Sequence, residues 1–182
     1  MIKTTKAALR GKSRMSTTNP AIHQERRKLL IDATITAVAE YGLAKVTLAK
    51  ISSIAGLTAG TVNFHFESKE ALLLDTLRFV SEEFDRRVAD AMKRAGTDPS
   101  KRLAAIIDAS LDPEITEHRK MAVWHAFDSE SIGRQDYQRI RGSLDNQNFK
   151  LILNLCEQII RRADKQSEID ARAIANAISG IT

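Results

Sequence analysis

At 182 residues the chain is long enough for one sizeable core, or for a small domain joined to a larger one. Its net charge of +5 is unevenly spread: residues 1–28 hold eight basic residues and one acid, whereas the remainder holds 20 basic and 22 acidic residues. No apolar run reaches signal-peptide or membrane-spanning length, and the single cysteine, Cys156, excludes an intrachain disulfide and fits a reducing compartment.

Residues 1–23 read as a disordered basic arm, with Lys3, Lys6, Arg10, Lys12 and Arg14 and no apolar periodicity. Such an arm is attracted to phosphate backbones and adds affinity without sequence information. Met15 stands as a candidate start, since nothing before it patterns like a fold. The first helix is predicted over 25–41, with Leu29, Leu30, Ala33, Ala37 and Val38 inward and Gly42 ending it.

Thr47 to Phe66 then reads T-L-A-K-I-S-S-I-A-G-L-T-A-G-T-V-N-F-H-F, two short helices around a glycine turn. Thr47 is a good N-cap, and Leu48, Ile51 and Ile54/Ala55 lie on one side at helical spacing. Gly56 supplies the turn, Leu57 an apolar anchor, Thr58 the cap of the second helix, and Val62 the residue that holds it down. The rest of that helix is small or hydrogen-bonding: Ala59, Gly60, Thr61, Asn63 and His65. A helix packed inside a bundle would carry an apolar stripe there. A helix lying in a DNA major groove needs short side chains for close approach and polar ones for base edges and phosphates.

Ser68 caps a long fourth helix over 69–95, with Leu72, Leu73, Leu77, Val80, Phe84, Val88 and Met92 on its apolar face. Its start places Lys69 beside the backbone-facing end of the hairpin, as Thr47 does for the first short helix. Asp98-Pro99 and Asp112-Pro113 both look like an Asp N-cap followed by proline, predicting helices over 99–111 and 113–130. A seventh helix over 134–163 places Ile140, Leu144, Leu151, Leu155 and Ile159 on one face. Cys156 aligns with Ile152 and Ile159 and reads as a buried thiol. Ser167 with Asp170 reads as a capping-box start for an eighth helix, still running at Thr182 with Ile174, Ile178 and Ile181 in need of cover. Every long segment has a 3.6-residue period and none alternates, so the chain is predicted to be all-α.

The run A-G-L-T-A-G-T-V-N-F-H-F-E-S-K-E-A-L-L resembles the signature of TetR-type bacterial repressors: glycine turn, capped recognition helix, aromatic end with His and Phe, then S-K-E-x-L. The resemblance is strongest over Arg26 to Leu77. Asn63 departs from the family, where an aromatic is common, and this bears on base preference at that position. L-I-D-A-T, Leu30 to Thr34, and M-x-x-W-x-A-F, Met121 to Phe127, are similar to the subgroup of the choline-responsive regulator BetI. The resemblance implies a helix-turn-helix domain over 24–84, with the hairpin at 47–66, and a helical effector-binding and dimerisation domain over 85–182. It further implies a cytoplasmic, nucleoid-associated homodimer whose last two helices meet their counterparts. On that pattern the chain ends before the final helix is complete, so either it is cut short or its tail is brief.

The DNA-contacting residues expected are Thr47, Thr58, Ala59, Gly60, Thr61, Asn63, His65 and Lys69. The partners expected are a double-stranded operator, a second copy of the chain and a small-molecule effector. For the effector, Phe84, Met121, Trp124, Phe127 and Tyr137 are the candidate pocket wall, with ordinary core as the competing reading. Choline itself would want an aromatic cage, and the few aromatics available do not by themselves name it. No catalytic constellation, cofactor motif or metal site is expected; His118 and His125 lie two helical turns apart, about 10 Å, too far to share one ion. The rival reading, a helical-bundle enzyme or carrier with an incidental hairpin, leaves the basic arm and the polar helix face unexplained.

Overall fold

The computed structural model describes residues 20–131 and 133–180. Residues 1–19 of the expected basic arm, with Met15, and Ile181 near the other end lie outside the described residues, whereas residues 20–23, expected in the disordered arm, are helical.

Helix α1 (Pro20–Tyr41) opens on a proline, five residues before the expected start. Proline pre-sets the helical φ, and the N–H it lacks would have no intrahelical partner in a first turn. Leu30, Ile31, Ala33, Thr34, Ile35, Ala37 and Val38 are buried, a wide arc centred on Thr34, whose hydroxyl donates to the Leu30 carbonyl at 2.7 Å. Leu29, expected inside, falls outside that arc and is 47% exposed. Gly42 takes φ 73° and leads into a short 3₁₀ turn, Leu43–Lys45, that the sequence pattern did not announce.

Helices α2 (Leu48–Ala55) and α3 (Ala59–His65) follow, then α4 (Lys69–Ala95). Ile51 and Val62 are fully buried, while Ile54, expected inward, is exposed and Ala55 is half-buried. The junction α5 (Pro99–Ser110) forms as expected, with the Asp98 carboxylate accepting the Lys101 N–H at 3.0 Å.

Asp112-Pro113 behaves differently. Asp112 Oδ1 accepts the Glu114 N–H, and its carbonyl accepts from both Ile115 and Thr116, closing a turn rather than opening a helix. The turn buries Ile115 and re-aims the chain. Helix α6 (His118–Ser131) starts afterwards, with the Glu117 carboxylate accepting the Arg119 N–H at 3.2 Å. Helix α7 (Gln135–Arg162) lies within a residue of expectation at each end, but its buried face is Tyr137, Ile152, Leu155, Cys156 and Ile160, with Ile140, Leu151 and Ile159 half-buried. Helix α8 (Ala171–Ser179) is capped by Asp170, not Ser167, and reaches a C-cap at Gly180.

Two buried clusters organise the molecule. One joins α1, α2, α3 and the first half of α4 to Val123 and Phe127 of α6 and Tyr137 of α7. The other joins the second half of α4 to α5, α7 and α8 through Val88, Ile106, Ile152, Leu155, Cys156 and Ala175. Helix α6 is therefore packed into the same core as the helix-turn-helix unit. Polar ties reinforce that junction: Arg119 donates to Thr36 at 2.9 Å and pairs with Asp32 at 3.4 Å, and Lys120 pairs with Glu83 of α4 at 2.8 Å. No helix among the described residues is long and apolar enough to cross a membrane.

Candidate nucleic-acid interface

The hairpin is held by its own local chemistry. Thr47 Oγ1 accepts the Lys50 N–H at 3.2 Å, capping α2. At the other end Gly56 adopts φ 64° and ψ 28°, and the Gly56 and Leu57 N–H groups return to the Ser53 and Ser52 carbonyls. A side chain there would be strained, so glycine is required by the turn. Thr58 Oγ1 accepts the Thr61 N–H at 3.2 Å and lies 3.0 Å from the Thr61 hydroxyl, so the two threonines rigidify the first turn of α3. Ser68 Oγ accepts the Ala71 N–H at 3.0 Å and restarts the chain as α4.

With Val62 buried, α3 presents Ala59, Gly60, Asn63 and Phe64 to solvent. These form two i, i+4 columns, Ala59–Asn63 and Gly60–Phe64, on one face. Among the described residues the Asn63 amide has no hydrogen-bond partner, leaving both its donor and its acceptor for a ligand. Thr58 and Thr47 are exposed beside this face, and Thr61 is half-buried at its edge.

Three features differ from the expected contact set. His65 turns inward: its ring lies 4.3 Å from that of His23 on α1, and both ring nitrogens are shielded without a partner among the described residues. Burial, reinforced by His23 and Arg26, pushes the His65 pKa below the usual imidazole range. Its neighbour Phe64 is the residue that faces outward, 67% exposed, although the sequence reading left it out of the site. The available signal was the helical spacing, because Phe64 stands one turn beyond the exposed Gly60, whereas His65 stands one turn beyond the buried Val62. Lys69 Nζ, finally, donates to the Val46 carbonyl at 3.1 Å, stitching α4 to the loop before α2. Two of its three protons remain for another acceptor. Lys50 supplies a second cation at this edge, donating to the Lys45 carbonyl at 2.9 Å and lying 4.2 Å over the Tyr41 ring.

The five residues expected to wall an effector pocket do not all share one buried cluster. Phe127 and Tyr137 are fully buried and packed edge to face at 4.9 Å, and Trp124 is half-buried against the same cluster. Phe84 belongs to the other cluster, and Met121 is half-buried on α6. Phe127 and Tyr137 occupy core because the DNA-binding unit closes over them. The concavity described instead, about 650 Å³, is open and polar and lies between α4 and α5, lined by Arg86, Arg87, Asp90, Arg94, Asp108 and Asp112 among others. Arg87 is anchored there by Glu83, Asp112 and Glu114. Among the described residues no three His, Cys, Asp or Glu side chains gather into a group that would hold a metal ion.

Comparison with known proteins decides what this hairpin belongs to. Residues 30–76 match the family described as bacterial regulatory proteins, tetR family, and residues 99–182 match the C-terminal domain of BetI-type transcriptional repressors. The regulator BetI of Stenotrophomonas maltophilia is 34% identical over 157 residues, covering 86% of this chain and 79% of that protein. The chain belongs to the TetR family, in its BetI-type branch. A second relative, BetI 1 of Chromohalobacter salexigens, is 32% identical over 86% of this chain and 76% of its own length. Among solved structures, a transcriptional regulator of Pseudomonas aeruginosa PAO1 superposes with a TM-score of 0.76 at 24% identity, covering 92% of this chain and 79% of the other. A regulator of Saccharomonospora viridis crystallised with choline superposes with a TM-score of 0.69 at 24% identity, over 86% and 83% of the two chains. This TetR-family chain is a DNA-binding transcriptional repressor and not an enzyme, and the rival bundle-enzyme reading falls away.

Proposed function

We propose that two copies of this repressor bind one operator, each laying the Ala59–Gly60–Asn63–Phe64 face of α3 in a major groove, and that a small-molecule effector releases them. The DNA-binding unit is residues 24–84, and residues 85–182 carry effector binding and dimerisation in the bacterial cytoplasm. The observation that carries the reading is the α3 surface: a short, doubly capped helix with one fully buried anchor, Val62, and a face of small and polar side chains beside one exposed ring. Asn63 is suited to bidentate contact with adenine, and Lys69, Lys50 and the start of α2 face the flanking phosphates.

Release requires two arrangements that differ in the spacing of the recognition helices, about 34–36 Å in the bound one. Helix α6 supplies the coupling. Its Val123 and Phe127 share a core with α1, and Arg119 grips Asp32 and Thr36, so an effector that shifts α6 shifts the reading head with it.

The test selects duplexes from a random pool with the full chain, then measures affinity against salt by fluorescence anisotropy. One enriched site with twofold-symmetric half-sites, a steep salt slope and a dimer in sedimentation are expected. A panel of small amines beginning with choline, scored by Trp124 emission and by DNA release, tests the effector. A chain that prefers no duplex, or that remains monomeric at micromolar concentration, would overturn the reading.

A further inference from the structure

Phe64 is an unusual residue to leave in water. It is 67% exposed, while every other large side chain on α3 is polar or buried. Its ring is nonetheless held in place: it meets His65 edge-on at 5.3 Å and 88°, and His23 at 6.0 Å and 68°. The inward turn of His65 thus buttresses its outward neighbour.

One helical turn before Phe64 stands Gly60. Helical side chains lean toward the N-terminus, so Phe64 projects back along the column of Gly60, and no atom of its ring comes within 4 Å of where a Gly60 Cβ would stand. A Cβ built on Gly60 would meet only Thr58 Oγ1 at 3.8 Å, so the position is open and the fold does not demand glycine there. Gly60 has helical backbone without the positive φ that Gly42, Gly56 and Gly96 share. Glycine inside a helix is unfavourable relative to alanine. A fold-neutral glycine beside a pinned, solvent-facing ring makes an apolar notch on the surface that enters the groove.

We propose that Gly60 and Phe64 form a slot that reads the 5-methyl group of a thymine in each half-site. This rests on the reading that α3 lies in the major groove, where that methyl is the one apolar feature a base pair displays. Phenylalanine has no donor or acceptor with which to read a guanine or a phosphate. The missing Gly60 side chain lets the base approach the helix backbone, and the ring closes over the methyl.

The experiment starts from the duplex the full chain enriches out of a random pool. Each thymine is replaced in turn by deoxyuridine, which keeps base pairing and removes only the methyl, and the dissociation constant is measured at fixed salt. Burying one methyl predicts about a four-fold loss at one thymine per half-site. In Phe64→Ala that penalty disappears, while the remaining affinity still depends on sequence. Gly60→Ala weakens binding to the thymine duplex yet leaves thermal stability unchanged or raised, which separates blocked approach from misfolding. A deoxyuridine penalty that persists in Phe64→Ala, or none at any thymine, would refute the slot while leaving the operator reading intact. Failure to enrich any duplex would overturn that reading and the slot with it.

Discussion

Tyr137→Phe is expected to stabilise this protein, against the usual direction for a change at a fully buried position. Tyr137 is 0% exposed and sits against Phe127 in the core shared with the DNA-binding helices. Its hydroxyl is buried and has no hydrogen-bond partner among the described residues, and burial raises its pKa. A buried hydroxyl without a partner carries a desolvation cost of about 1–3 kcal/mol, and phenylalanine keeps the ring and loses that cost. The Phe127 contact and the Arg134 guanidinium, 4.3 Å over the ring, do not depend on the hydroxyl. For a chain of this length each kcal/mol moves the midpoint by about 2–4 °C. Urea melts followed by Trp124 emission at one fixed protein concentration should show a higher midpoint with an unchanged slope, since no surface burial is altered. A lower midpoint would refute the reasoning, because it would mean that the hydroxyl is satisfied in the folded state. A variant that gains stability but loses effector response would instead identify the hydroxyl as a group held in reserve for the ligand.

Three further outcomes follow from the interface. Asn63→Ala should lose about 1–3 kcal/mol at one operator position and relax preference there, measured by anisotropy across single-base variants; an equal loss on every sequence would make Asn63 a phosphate contact. Lys69→Ala should weaken specific and non-specific binding alike and lower the salt slope by about one unit, whereas an unchanged slope with a lower melting temperature would confine Lys69 to its bond with the Val46 carbonyl. His65, with its pKa lowered in the folded state by burial and then by His23 and Arg26, binds protons more readily when unfolded. Stability should therefore be fully present above the ordinary histidine value of about 6.5 and decline as pH falls below it. Melting curves between pH 8 and pH 5 should flatten in His65→Phe, and a wild-type midpoint insensitive to pH would contradict the linkage.

Sequence alone determined the parts of this protein that depend on interactions within about four residues. Thr47, Thr58, Ser68 and Asp98 cap the helices they were expected to cap, and Gly56 takes the left-handed turn. Val62 is the buried anchor, and Cys156 is buried. A cap or a turn is settled by the residue and its immediate backbone, so the letters suffice. Tertiary structure decided the rest, because identical local signals can lead to different outcomes. Asp98-Pro99 opens a helix and Asp112-Pro113 closes a turn, the difference being that Ile115 must reach the core before α6 can dock. Helical spacing separates Phe64 from His65, but the cover over the His65 ring comes from His23 of α1, 4.3 Å away, while Phe64 stays exposed. The aromatic residues of α4, α6 and α7 share a helical spacing that suits either a pocket or a core. Docking of α6 on α1 places Phe127 and Tyr137 in one buried cluster and leaves Phe84 in the other, since burial depends on which distant surfaces meet and not on the period of any single helix.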